Sequence, residues 1–234
     1  MNKNLIASIA LMLLLFCQVK AQQISILKDS VQIGEQFYVL EEIKLEGNNS
    51  NALMNIYQQI RSPHILGSYL SAMPEQRLRA KKDTLEALIA NGSLREAGYG
   101  FEHYEVLYHK AGLLNLSRNI QSYGSPFESR QAYCFDLPTG KMVGKSLFVN
   151  HKALLKTVLE KLNLQKKGIK INLDALDQYE IVSDKRGKLE GIKFWITDTE
   201  NYRNSGYEMF EVYLNEKEIN PFLAPMFKQR LLGY

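Results

Sequence analysis

Histidines are the first side chains in this 234-residue chain whose chemistry and spacing could support a metal site. His103 and His109 lie six residues apart in a stretch of alternating polar and apolar residues, which predicts one strand with both rings on the same face. At this spacing they are about 20 Å apart, whereas zinc requires ligands that converge on one point. His64 follows a proline and His151 begins a predicted helix, so we expect surface or capping roles for both. The pattern predicts no metal site.

The nucleophile and acid candidates are equally isolated in sequence. Cys134 lies in an aromatic strand without a basic neighbour, which is typical of a buried, unreactive thiol, although folding could bring a histidine beside it. Glycoside hydrolysis needs two carboxyl groups about 5 to 10 Å apart across a cleft, and acids on exposed turns do not supply that arrangement. The acids considered are Asp174, Asp177, Glu180, Asp198 and Glu200. No nucleotide-binding glycine loop or Gly-x-Ser-x-Gly elbow occurs, so we predict no catalytic residue and no cofactor.

Aromatic residues near turns offer a binding surface instead. Tyrosine in a loop provides a large contact area at a low entropic cost, which suits recognition of a protein or a glycan. Three tyrosines lie near predicted turns: Tyr123, Tyr202 and Tyr207. The alternative is that most tyrosines cover sheet faces with their hydroxyl groups in water. The predicted binding residues are Tyr123, Gly124, Ser125, Pro126, Phe127 and Arg130.

The first 21 residues have the features of a secretory signal peptide. Lys3 precedes an apolar run from Leu5 to Phe16, and Val19-Lys20-Ala21 forms a small-residue cleavage site. A membrane anchor is disfavoured because about 20 apolar residues are needed to cross a bilayer. Lipidation at Cys17 is disfavoured because Phe16 occupies a position that requires a small residue. We therefore expect export to the periplasm or cell surface, and no transmembrane span in the mature chain.

Charge and cysteine content limit what the mature chain can be. Cleavage removes Lys3 and Lys20 and lowers the formal charge from +4 to +2, which gives no electrostatic reason to bind nucleic acid. Cys134 is the one remaining cysteine, so an intramolecular disulfide is impossible. Residues 22–234 are long enough for one domain with its own core, or for two packed lobes divided near residue 145, about 22–145 and 146–234.

Hydrophobic periodicity predicts an α+β fold, mainly an antiparallel sheet with about three packed helices. The predicted strands cover Ile24 to Ile33, Gln36 to Gly47, Tyr99 to Lys110, Leu113 to Ile120, the segment around Tyr133, and three further strands between Gln178 and Pro221. The predicted helices begin at Asn49 or Ser50, at Pro74 and at Asn150. In the second helix, Leu78, Leu85, Leu88 and Ile89 should face inward, which leaves its basic residues Arg77, Arg79, Lys81 and Lys82 in solvent.

Several short motifs occur in a recognisable order along the chain. They are Leu114-Asn115-Leu116-Ser117, then Cys134-Phe135-Asp136-Leu137-Pro138-Thr139-Gly140-Lys141, then Leu147-Phe148, and finally Glu218-Ile219-Asn220-Pro221-Phe222-Leu223-Ala224. This order resembles an exported domain family of unknown function, found in the outer part of the anti-sigma factor RsiV and ahead of the catalytic domain of the peptidoglycan deacetylase PdaC. The family has a Gly-Gly-Ala-His-Pro turn where this chain has Tyr123-Gly124-Ser125-Pro126, so the role of that histidine cannot be transferred.

The resemblance implies a non-catalytic binding module of the cell envelope, in a family where one relative binds lysozyme. Its expected partner is a secreted or envelope protein, such as a lysozyme-like protein, or a peptidoglycan fragment. Two alternatives stay open: a hydrolase of cell-wall polymer whose site is assembled by folding, and an envelope scaffold subunit. The scaffold would make contact through an exposed apolar tail, "PFLAPMFKQRLLGY".

Overall fold

The structure is a computed structural model that describes residues 23–47, 49–60, 73–125, 128–198 and 209–233. The fold is α+β with antiparallel sheets, as predicted. Nine strands are described: β1 Gln23–Ile33, β2 Gln36–Glu46, β3 Gly100–Lys110, β4 Leu113–Ser122, β5 Glu128–Asp136, β6 Lys141–Met142, β7 Tyr179–Ser183, β8 Leu189–Thr197 and β9 Met209–Asn215. The α-helices in the same residues are α1 Ser50–Ile60, α2 Pro74–Ala90, α3 Leu94–Ala97, α4 His151–Gln165, α5 Glu216–Ile219 and α6 Pro225–Leu232.

The described part of the chain contains six α-helices, so the expectation of about three was too low. The three predicted helices correspond to α1, α2 and α4. The others are short, and α5 occupies a segment that the sequence predicted as strand. The side chain of Asn215 accepts hydrogen bonds from the N–H groups of Lys217 and Glu218, and this cap ends β9 and begins α5.

A central antiparallel sheet in the order β3-β4-β5-β6 separates two hydrophobic clusters. Alternate residues of β5 point to opposite faces: Tyr133 and Phe135 join one cluster and Cys134 joins the other. The first, the N-terminal cluster, includes Ile43, Ile56, Leu116 and Phe135. The second, the C-terminal cluster, includes Cys134, Val158, Phe194, Val212 and Leu231.

One face of the central sheet is covered by the β1–β2 hairpin and by α1. The Asn49 side chain caps α1 by accepting a hydrogen bond from the N–H of Ala52 at 3.1 Å. Gly140, in the turn between β5 and β6, packs so closely on α1 that a Cβ at this position would overlap the backbone of Ala52. Its φ of +69° also favours glycine, so both conformation and contact require this residue.

The basic face of α2 differs from the sequence prediction. Arg77 and Lys81 are only 1% and 2% exposed, while Arg79 is exposed as expected. Arg77 Nη2 lies 2.7 Å from Glu42 Oε1, and Lys81 Nζ lies 2.9 Å from Glu42 Oε2 and 2.7 Å from Glu102 Oε2. The prediction was wrong for Arg77 and Lys81 because carboxylates from β2 and β3, distant in sequence, neutralise them in the interior.

The other face of the central sheet is covered by the sheet β7-β8-β9, with α4 and α6 against it. Leu154, Val158 and Leu162 of α4 are buried, as their spacing predicted. The apolar C-terminal segment is less exposed than expected, because Phe227, Leu231 and Leu232 are buried in the C-terminal cluster.

A buried asparagine joins the two sheets. Asn115 Nδ2 donates hydrogen bonds to the carbonyls of Tyr133 and Tyr179, at 2.9 and 3.1 Å. Asn115 Oδ1 accepts one from the N–H of Ile181 at 2.7 Å. Buried polar groups need hydrogen-bond partners, and the amide of Asn115 finds two of its three on β7. These hydrogen bonds fix the position of β7 on the central sheet.

A β-bulge changes the predicted placement of the two strand histidines. The pairing shifts from Val106↔Leu116 to Tyr108↔Asn115, which leaves Leu107 as an extra residue in β3. His103 and His109 consequently lie on opposite faces of the sheet, and the prediction of a shared face was wrong.

None of the helices within the described ranges combines the length and the apolar composition that a membrane span needs.

Candidate functional site

A cleft lies where the ends of two hairpins, β4–β5 of the central sheet and β8–β9 of the second sheet, approach each other. One end is the cross-strand pair Ile120↔Ser129 of β4 and β5. The other is the pair Thr197↔Met209 of β8 and β9. Two adjoining cavities of about 290 and 380 Å³ share these four residues and Arg130, so we describe them together as the Arg130 cleft.

The cleft is lined mainly by polar side chains. The narrower cavity is lined by Arg118, Ile120, Ser129, Arg130, Gln131, Gln178, Trp195, Thr197 and Met209. The wider one adds Ser122, Ser125 and Glu128. Cavities of a few hundred Å³ with several convergent polar groups are typical of small-ligand sites.

Arg130 and Trp195 contact each other within the cleft. The guanidinium carbon of Arg130 lies 3.6 Å from the centre of the Trp195 ring, a stacked cation–π contact. Arg130 Nη2 donates a hydrogen bond to Glu105 Oε2 at 3.2 Å. The Trp195 ring and the hydrogen bond to Glu105 together fix the orientation of the guanidinium plane. A polar or charged group of a ligand can therefore bind to Arg130 without reorienting it.

Arg118 supplies a second cation in the narrower cavity, which we call the narrow end of the cleft. Its Nη1 donates to the carbonyl of Ile60 at 2.7 Å, and its Nη2 donates to Gln131 Oε1 at 3.2 Å. Glu102 Oε1 lies 3.5 Å from Arg118 Nη1, so this arginine also touches the buried charge network below the hairpin. Arg118 thus connects the cleft to α1 and to Glu102 of β3.

The structure brings only some of the predicted binding residues to the cleft. Ser125 and Arg130 line it, whereas the Tyr123 ring packs on Tyr38 with the ring centres 5.8 Å apart. Gly124 has a φ of +74° and forms the turn after β4. Pro126, Phe127, Tyr202 and Tyr207 lie outside the described residues.

Sequence reasoning missed Arg118 and Trp195, and a signal existed for only one of them. Leu114, Leu116 and Ile120 share a face of the predicted strand by alternation, and Arg118 occupies the remaining alternate position on that face. A cation at an inward-facing strand position suggests a paired or functional group. Nothing near Trp195 in sequence indicates that β8 ends beside β5, because that contact forms only between sheets.

None of the described nucleophile and acid candidates is among the residues that line the cleft. Cys134 is buried, as predicted, and burial raises the pKa of its thiol to about 12. Asp174 and Asp177 pair with Lys145, whose Nζ lies 2.9 and 3.3 Å from them. Asp198 is buried, Glu180 pairs with Lys193, and Glu200 lies outside the described residues. Within the described ranges no three His, Cys, Asp or Glu side chains are grouped to hold a metal ion.

No protein-family model and no curated protein matches the chain.

Proposed function

We propose that this chain is an exported, non-catalytic binding module of the cell envelope that holds a fragment of cell-wall polymer in the Arg130 cleft. The observation that carries the proposal is the cleft itself. It joins the ends of two hairpins, and a stacked arginine lies at its narrow end beside hydroxyl and amide side chains. These groups suit recognition of a polar fragment by hydrogen bonds.

Binding is favoured over catalysis by the state of the reactive groups. Burial raises the pKa of the Cys134 thiol to about 12, and a thiol reacts as a nucleophile only when it is deprotonated. The carboxyl groups of Asp174 and Asp177 pair with Lys145 on another part of the surface. Neither group lines the cleft, so the residues there orient a ligand without attacking it.

A polymer fragment is favoured over a folded protein partner by the shape of the surface. A cavity of about 290 Å³ is concave and accepts a small group. A protein partner instead buries about 800 Å² per side on a broad surface. The motif order shared with envelope domains also supports a role at the cell wall.

The test is co-sedimentation of the purified protein with insoluble peptidoglycan, followed by titration with soluble muropeptides. We expect the wild-type protein to sediment with peptidoglycan and Arg130→Ala to stay mostly in the supernatant. The loss follows because this substitution removes the stacked cation from the cleft. Arg79→Ala is the matched control, since Arg79 is an exposed arginine on α2.

Two outcomes would contradict the proposal. Equal sedimentation of wild type and Arg130→Ala would show that the cleft is not the binding surface. Absence of peptidoglycan binding, combined with a saturable complex with lysozyme in a parallel titration, would assign the module to a protein partner instead.

A further inference from the structure

We infer that the narrow end of the Arg130 cleft recognises a carboxylate group of its ligand. This inference rests on the proposed function and names the chemical group that the site selects. It follows from three buried hydrogen-bond donors at the cleft that have no acceptor in the described residues, against one acceptor without a donor beside Arg130, Asn119 Oδ1. Three observations support it: the fixed guanidinium, the buried N–H groups behind it, and the open edge of β5.

The guanidinium of Arg130 retains binding capacity after its internal contacts are made. Its one hydrogen bond to a described side chain, from Nη2 to Glu105, leaves Nη1 for a ligand. A guanidinium presents a rigid, planar set of donors that matches the two oxygens of a carboxylate. The Trp195 ring holds this plane in place, so little entropy is lost when a carboxylate binds.

Several buried N–H groups near Arg130 find no acceptor in the described residues. Trp195 is 3% exposed, and its Nε1 makes no hydrogen bond within the described ranges. The buried Nε atoms of Arg118 and Arg130 also have no acceptor there, and they outnumber the one unsatisfied acceptor beside Arg130, Asn119 Oδ1. Buried donors without partners are costly, and their uncompensated dipoles create a positive potential in a low-dielectric region. A negative group at the narrow end lowers that cost.

The backbone of β5 adds a further donor beside Arg130. The N–H of Ala132 points away from β4, since it donates to Gln178 Oε1 at 2.8 Å. Main-chain groups alternate in direction along a strand, so the N–H of Arg130 points to the same outer edge. In the described residues β6 pairs only with Phe135 and Asp136, which leaves this edge of β5 open at Arg130.

Acidic residues near the cleft restrict where the carboxylate can bind. Glu128 lines only the wider cavity, so a ligand carboxylate is repelled there and attracted to the end with Arg118 and Arg130. Glu105 is an exposed side chain, and water screens its charge. A phosphate carries up to two negative charges and needs several cations to balance them. Arg118 and Arg130 are each partly neutralised by a glutamate, so together they suit the single charge of a carboxylate better.

The single tryptophan makes this inference directly testable. Trp195 is the only tryptophan of the chain, so its indole N–H gives one assigned resonance in a two-dimensional NMR spectrum of isotope-labelled protein. The probes are N-acetylglycine and N-acetylglycinamide, which differ only in the carboxylate, at fixed ionic strength. We expect N-acetylglycine to shift the indole and Thr197 resonances in a saturable way, and the amide to leave them unchanged.

Substitution of Arg130 provides the second arm. Arg130→Gln keeps hydrogen-bonding capacity without charge and should weaken N-acetylglycine binding about tenfold or more. Arg130→Lys keeps the charge without the planar fork and should give an intermediate affinity. Arg79→Gln is the control and should bind as the wild type does. The spectrum of each variant shows whether it is folded, and the wild-type shift pattern is informative even if one variant is not.

The outcomes separate this inference from the proposed function. An equal response to acid and amide, shifts confined to residues far from the cleft, or tighter binding of inorganic phosphate would overturn the carboxylate assignment. Muropeptide binding that survives amidation of its carboxyl groups would leave the proposed function intact and refute the inference. N-acetylglycine binding at Trp195 without any peptidoglycan binding would do the reverse.

Discussion

At the residue scale, the buried charges of Glu42, Arg77 and Lys81 are a feature on which stability depends. Glu42 accepts contacts from both Arg77 and Lys81, and each of these side chains is almost fully buried. Arg77 also lies over the Tyr57 ring, with its guanidinium carbon 4.4 Å from the ring centre. Loss of one partner leaves a charge in the interior without sufficient compensation.

We therefore predict that Arg77→Ala lowers the free energy of unfolding by about 3–5 kcal/mol. Urea denaturation followed by circular dichroism measures the change. Arg79→Ala, two residues away on the exposed side of the same helix, should leave the denaturation midpoint unchanged. Equal midpoints for the two variants would contradict a neutralising role for Arg77.

At the element scale, α6 closes the C-terminal cluster. Pro225 begins the helix, Gly233 ends it in a left-handed conformation, and three of its eight residues are buried. Arg230 fixes the helix to the central sheet, since its Nε donates to the carbonyl of Ala111 and its Nη1 pairs with Asp136. The segment is part of the core, although its composition suggested an exposed tail.

Adjacent residues of α6 provide a matched pair for testing this role. Phe227 is 5% exposed and Met226 is 64% exposed. Phe227→Ala should lower the free energy of unfolding by about 3–5 kcal/mol because it leaves a cavity in the core. Met226→Ala should unfold at the wild-type temperature in a thermal melt. If Phe227→Ala and Met226→Ala had the same melting temperature, α6 would not stabilise the C-terminal cluster.

At the scale of the whole molecule, buried groups that must stay protonated set an alkaline limit to stability. Burial raises the pKa of Cys134 to about 12 and the pKa values of Tyr104 and Tyr179 well above their ordinary value of 10.0. Tyr179 and Cys134 lie in the C-terminal cluster and Tyr104 in the N-terminal one, so both faces of the central sheet are affected. Ionisation of any of them requires the surrounding core to open.

The direction of the pH dependence follows from proton binding. Above the ordinary cysteine value of 9.0 the unfolded chain loses protons that the folded chain retains, so the unfolded state binds fewer protons. The free energy of unfolding should therefore fall steadily as the pH rises from this value towards about 12. Urea titrations at several alkaline pH values, with tyrosinate absorbance recorded in parallel, measure the effect. A denaturation midpoint independent of pH across this range would contradict it.

The elements themselves were predictable because their signals are local. Alternation in residues 24–33 and the proline at position 74 lie within the segments that they define, and the observed bounds of β1 and α2 agree closely with the predictions. The β3 bulge and the helix α5 were missed. The sequence signals for the extra residue Leu107 and for the helix cap at Asn215 are weak.

The candidate site was predictable only in part. The sequence by itself determined the α+β class, the antiparallel hairpins and the buried position of Cys134, because periodicity and turn residues act over a few positions. Only the tertiary structure decided that Trp195 stacks on Arg130 and that Glu42 neutralises Arg77 and Lys81. Those contacts join residues 35 to 65 positions apart, and the free energy of burying such a charge depends on partners that local patterns cannot identify.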